Sequence, residues 1–171
     1  MNRLPFVWEL NYEGIVSHAI GSPHGIQWFS ADKYIKDIVY YLDGKCAVLA
    51  EAEINQGGTI DAVIIDIAKE KSIPRKIVTA EKERKAFDEY YSVYLDCPQA
   101  DRAYRKGDAK MLKAIYGRPG FNLDQFTWNL AERSLRWLKT TPSLLVANLA
   151  HFIIEPTILA HFQKRGIQPK I

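Results

Sequence analysis

Apolar and polar positions along the chain change period several times, and each change marks an element. Phe6 to Asn11 and Ile15 to Ile20 flank the turn Tyr12-Glu13-Gly14, which predicts a β-hairpin. After the loop Gly21 to Trp28, Ser30 can cap a helix. Tyr34, Ile35, Ile38, Val39 and Leu42 keep its 3.6-residue period, and Asp43-Gly44 ends it. Cys46 to Ala50 is a continuous apolar run and reads as a buried strand. Gly57-Gly58 breaks the chain, and Thr59 can cap a second helix with Ile60, Val63, Ile64, Ile67 and Ala68 on one face. Pro74 closes that helix, and Lys76 to Thr79 reads as a short strand.

The second half is mostly helical. Phe87, Tyr90, Tyr91, Tyr94 and Leu95 form one stripe, with Cys97-Pro98 as the expected stop. Asp108 can cap a short helix bearing Met111, Leu112 and Ile115, and a long helix is expected from about Leu123 to Lys139. Ser143 to Ala147 reads as the last buried strand. Pro156 suits the first turn of a terminal helix, Gly166 its left-handed stop, and Ile167 to Ile171 a closing strand. Strands alternating with helices predict one α/β domain over residues 1–171, a central mixed sheet covered by helices.

Composition narrows the function classes. A chain of 171 residues that is 47% hydrophobic can bury one sizeable core. The net charge of +3 is spread over alternating signs, as in Glu81-Lys82-Glu83-Arg84, which reads as solvated helix faces and argues against a nucleic-acid partner. Cys46 and Cys97 form no CxxC pair, so a four-ligand structural zinc site is not expected. No stretch approaches the ~20 apolar residues of a membrane span, and Met1-Asn2-Arg3-Leu4-Pro5 carries no secretory signal. The expected setting is therefore cytoplasmic, without a membrane partner.

Candidate chemistry lies at strand ends. His24, Glu51 and His151 each follow an apolar, strand-like run, the position from which α/β proteins build sites. In the segment Gly21-Ser22-Pro23-His24, glycine would allow a sharp turn and proline would stiffen the approach. The bland alternative is an exposed loop histidine. Glu51 closes a run with no polar residue after Lys45, so its carboxylate requires a cation, a metal or a proton unless the chain leads it into water. Glu53 shares its face by strand alternation. On the long helix Arg133 interrupts the stripe Phe126, Leu130, Trp137. It either snorkels to solvent or reaches a cleft to meet Glu51 or a substrate anion. His18 and His161 read as packed or exposed histidines outside any such cluster.

The order of these segments resembles the TraB/PrgY/GumN family, which includes the Tiki proteases. The first Gly-x-x-His is Gly21-Ser22-Pro23-His24 after Trp8-Glu9-Leu10, and the strand ending in glutamate is Val48-Leu49-Ala50-Glu51. Gly58-Thr59-Ile60-Asp61 stands, one residue longer, for a Gly-x-Asp helix start, and Tyr104-Arg105-Lys106-Gly107-Asp108 matches an aromatic-x-x-Gly-Asp segment. Arg133-Ser134 stands where an Arg-Asn pair is usual. Asn148-Leu149-Ala150-His151 followed by Gly166-Ile167 stands for the second Gly-x-x-His and its Gly-aromatic turn. The chain departs from the pattern at Asn148 (for glycine), at Ser134, at Val78 (for a glutamate), and in the short path from Glu53 to Thr59.

The resemblance implies a metal-assisted hydrolase, most directly a peptidase. His24, Glu51 and His151 would be metal ligands, Glu51 also a candidate general base, and Arg133 the group that steadies an anion. Mixed histidine and carboxylate donors suit Mn, Co, Fe or Zn. The substrate would be a peptide or a small molecule. The shortened connection and the stripe Phe87, Tyr90, Tyr91, Tyr94 point to a homodimer. The alternative is a non-catalytic peptide-binding or sequestering module on the same scaffold.

Overall fold

The computed structural model describes residues 3–23, 32–51, 59–91, 98–117 and 123–171. β1 (Val7–Tyr12) and β2 (Ile15–Ser22) pair antiparallel across Glu13 and Gly14. Both turn residues have positive φ, at 49° and 90°, and such mirror-image turns match the twist of the flanking strands. After a 3-10 turn over Asp32–Tyr34, α1 (Ile35–Leu42) runs to Asp43, and Gly44 at φ 67° reverses the chain into β3 (Ala47–Ala50). The Thr59 side chain accepts from the Ala62 amide and starts α2 (Ile60–Glu70), which leads to β4 (Arg75–Ile77). Four helices follow: α3 (Glu81–Tyr91), α4 (Pro98–Lys106), α5 (Ala109–Tyr116) and α6 (Leu123–Leu138). The chain returns through β5 (Ser143–Asn148), α7 (Ala150–Ile153), α8 (Ile158–Lys164) and β6 (Gln168–Lys170).

These strands make one mixed six-stranded sheet in the order β4-β3-β5-β2-β1-β6, so the chain is a single α/β domain with a helix-covered sheet. Four strands, β4, β3, β5 and β2, run parallel, while β1 pairs antiparallel with both β2 and β6. β5 is buried along its whole length, as a central parallel strand covered on both faces must be. Leu144 and Leu145 on it, and Val48 and Leu49 on β3, are fully enclosed. Such side chains stabilise by roughly 1.5–3 kcal/mol each on burial. From β2 the chain crosses to β3 and then to β4, moving toward one edge. The long α3–α6 excursion brings it back to β5, inserted between β3 and β2. α1 and α2 touch each other, and α6 of the return excursion touches β5 and α8. The chain leaves β3 toward one edge and β5 toward the other. Their carboxyl ends flank a topological switch point, where such sheets open a crevice.

Pro98 starts α4, where the first helical position needs no N–H, and the helix stop expected just before it falls outside the described residues. Two local expectations are corrected. His151 lies on the short helix α7, which the apolar run Ser143 to Phe152 conceals. Gly21 makes no sharp turn: it is the seventh residue of an extended strand. Glycine is needed there for space, since a Cβ would come within 2.7 Å of Leu149 Cδ1 and 3.3 Å of Trp8. Ser30, Glu53 and Tyr94 lie outside the described residues, as do the side chains of Phe87, Tyr90 and Tyr91.

Candidate functional site

Glu51 directly follows β3, and His151 lies on α7 just beyond the end of β5, so both come to the switch point. The Glu51 amide donates to Val146 O at 3.1 Å, and its carbonyl accepts from the Thr79 hydroxyl, so the backbone is held from β5 and from the end of β4. Its carboxylate is 2% exposed. Oε2 accepts from the Asn148 amide at 2.5 Å, and Oε1 stands 3.2 Å from His151 Nε2. A buried carboxylate is costly unless such donors surround it, and here the donors come from the neighbouring strand end and the helix after it.

His151 is placed by packing on two sides. Leu149 docks into the space left by Gly21, and Phe152 stacks on Trp8 at 4.7 Å, which fixes α7 against the hairpin. The Asn148 side chain accepts from the Ala150 amide at 2.9 Å in an Asx-type turn that starts the short helix. Asn148 has no left-handed backbone, and its side-chain oxygen is what starts the turn. The imidazole is enclosed, lies 5.0 Å from the Phe126 ring, and meets Thr127 Oγ1 with Nδ1 at 2.7 Å. Thr127, Oγ1 to Nδ1, then Nε2 to Glu51 Oε1, form one buried chain. Sequence reasoning missed Thr127. The available signal was a hydroxyl between Phe126 and Leu130 on the inward face of α6.

Arg133 does not join this chain. Both guanidinium ends pair with Glu83 on α3, Nη2 to Oε1 at 3.3 Å and Nη1 to Oε2, at a side chain 41% exposed. The buried face of α6 runs through Phe126, Thr127, Leu130, Ala131, Ser134 and Leu138. At 3.6 residues per turn Arg133 lies roughly a quarter-turn from its centre, on the flank next to α3. Burial pushes the Glu83 carboxyl up. Hydrogen bonds from Arg133, the Ala80 amide and Asn129 more than offset that, and Glu83 ends below its ordinary range.

His18 sits mid-strand on β2, opposite Glu9, with its ring 5.1 Å from Tyr41. Its Nδ1 has no hydrogen-bond partner among the described residues, and burial, then the nearby Lys45, lower its pKa against the pull of Glu9. His161 lies 3.6 Å from Asp124. His24 lies outside the described residues. A second buried acid, Asp61 in the first turn of α2, accepts from the Ser22 hydroxyl at the end of β2. Ser22 is paired in register with Asn148, so polar contacts continue along the carboxyl ends of β3, β5 and β2.

Two donors held about 2.0–2.1 Å from one tetrahedral ion lie about 3.3 Å apart. The 3.2 Å between Glu51 Oε1 and His151 Nε2 fits that requirement, and the other polar atom of each side chain is already engaged. Among the described residues no group of three His, Cys, Asp or Glu is placed to hold a metal. No described helix is long and apolar enough to cross a membrane. No family model, curated protein or solved structure matches the chain.

Proposed function

We propose that this chain is a metal-dependent hydrolase acting on peptide bonds, with Glu51 and His151 as two donors of its site. The observation that carries the reading is the 3.2 Å approach of Glu51 Oε1 to His151 Nε2 at the switch point of the sheet. The order of motifs that resembles the TraB/PrgY/GumN family supports it, and assigns the next donor to His24. A divalent ion of Mn, Co, Fe or Zn would supply polarisation of the scissile carbonyl and acidification of water.

The residues of the chain do the remaining work. The Asn148 amide fixes Oε2, so Oε1 is the oxygen that would hold the ion or take a proton from water. Thr127 engages Nδ1, so Nε2 is the nitrogen that faces Oε1. Positioning by backbone and packed side chains keeps both atoms aimed without reorganisation.

A second reading, a peptide-binding module without turnover on the same scaffold, is favoured by one specific observation. Arg133 is committed to Glu83 at the surface, so the arginine that the resemblance assigns to an anion is used elsewhere. Incubation of the purified protein with a mixed peptide library and added Mn²⁺ or Zn²⁺ separates the readings. Metal-dependent cleavage that is lost in Glu51→Gln supports the hydrolase. Peptide retention with no new termini supports the binding module.

A further inference from the structure

We propose that the Thr127 hydroxyl is a two-way positioning group for His151. It donates to Nδ1 when Nε2–H serves Glu51, and accepts from Nδ1–H when the Nε2 lone pair is taken by a divalent cation. The inference deepens the reading of Glu51 and His151 as metal donors and rests on it.

The argument starts from donor and acceptor inventories. A carboxylate can only accept, so a neutral His151 that bonds Glu51 Oε1 must carry its proton on Nε2. Nδ1 is then an acceptor, and the group 2.7 Å away must donate. A cation on Nε2 reverses both roles: the proton moves to Nδ1, whose partner must accept. A backbone carbonyl or a carboxylate at that place would serve only the second state. A hydroxyl serves both by rotating about its Cβ–Oγ bond. In the accepting state its own proton has an outlet, because helical threonines can donate to the carbonyl four residues back.

Packing makes the device specific. Thr127 is 1% exposed and His151 is fully enclosed, so bulk water has no access to substitute for the hydroxyl. Phe126 lies against the imidazole at an interplanar angle of 28°, which holds the ring plane while the proton changes nitrogen. The ring need not move for the change. Such partners of ligand histidines typically alter metal affinity 10–100-fold when removed.

The test uses the intact chain labelled with 15N-histidine. Two-bond 15N–1H correlation spectra of metal-free wild type should show His151 as the Nε2–H tautomer, and addition of one equivalent of Zn²⁺ should convert it to Nδ1–H. Thr127→Val, which keeps the shape and removes the hydroxyl, should weaken Zn²⁺ binding roughly 10–100-fold in a chelator competition. Thr127→Ser should restore affinity and the tautomer change, a rescue that a merely space-filling role would not give. An Nδ1–H tautomer or an imidazolium in metal-free wild type, or wild-type affinity in Thr127→Val, overturns the proposal. If wild type binds no Zn²⁺, the metal reading fails and takes the accepting state with it. A wrong metal-free tautomer refutes the role of Thr127 whether or not metal binds.

Discussion

Glu51 Oε1 and His151 Nε2 stand 3.2 Å apart across a sequence separation of 100 residues, both enclosed, one just after β3 and the other on the short helix that follows its parallel neighbour β5. Glu51→Leu would leave the Asn148 amide and Nε2 without their acceptor. Chemical denaturation should show a loss of about 2–5 kcal/mol, from two buried donors left unsatisfied at about 1–3 kcal/mol each. Glu51→Gln retains an acceptor and should lose only about 1–2 kcal/mol. Equal, small losses in both variants would mean that the carboxylate is not held as described.

Gly21→Ala tests the packing that seats α7. The added methyl meets Leu149 Cδ1 at 2.7 Å in a fully buried contact, with Trp8 next at 3.3 Å and Phe152 at 3.4 Å. Overpacking of this kind costs about 1–3 kcal/mol. Because Leu149 and Phe152 flank His151, the His151 resonances should shift as well. A neutral substitution with an unchanged spectrum would refute the seating of α7 on Gly21.

Arg133→Leu should leave Glu51 untouched. Its ion pair is at the surface, so the expected loss is below about 1 kcal/mol. Glu83 is held below its ordinary carboxylate range when folded. A depressed carboxyl stabilises the fold above its unfolded pKa and stops doing so as pH falls through the folded value. The difference between wild type and Arg133→Leu should therefore be present at neutral pH and vanish below the carboxylate range. Stability curves from pH 7 to pH 3 measure it, and a difference that grows on acidification contradicts the pairing.

His18 adds an acid dependence of the same sign, in a higher pH window. Burial and Lys45 lower its pKa from 6.5, so the unfolded chain takes up a proton first as pH falls. Wild type should lose stability relative to His18→Gln once pH drops below about 6.5, down to the lowered folded value, and match its pH trend above. Parallel curves through that window would contradict the burial of the imidazole.

The sequence was most readable where one residue type has one physical use. Thr59 and Asp108 accept from the amides of Ala62 and Met111 as helix caps, and Gly44 and Gly166 adopt the positive φ expected of helix stops. The run Ser143 to Ala147 reads as a buried strand, and so it is. Glu51 and His151 were visible as strand-end residues, and their approach follows from the insertion of β5 beside β3. Arg133 misled because Phe126, Leu130 and Trp137 suggest a stripe centred on it. The buried face is instead centred nearer Ser134, and only the position of α3 shows Glu83 waiting on the flank. Thr127 stayed hidden because its one signal, a hydroxyl on the inward face of α6, names no partner; its role exists only once α7 turns Nδ1 toward it.

Metal content tests the central claim most directly. Elemental analysis of wild type, His151→Ala and Glu51→Gln, purified without chelator and reconstituted with Mn²⁺ and Zn²⁺ in parallel, should show a divalent ion near one equivalent in wild type. Both variants should lose most of it while remaining folded by circular dichroism. Wild type at blank level before and after reconstitution, or full occupancy in both variants, would contradict Glu51 and His151 as the donors of a metal site.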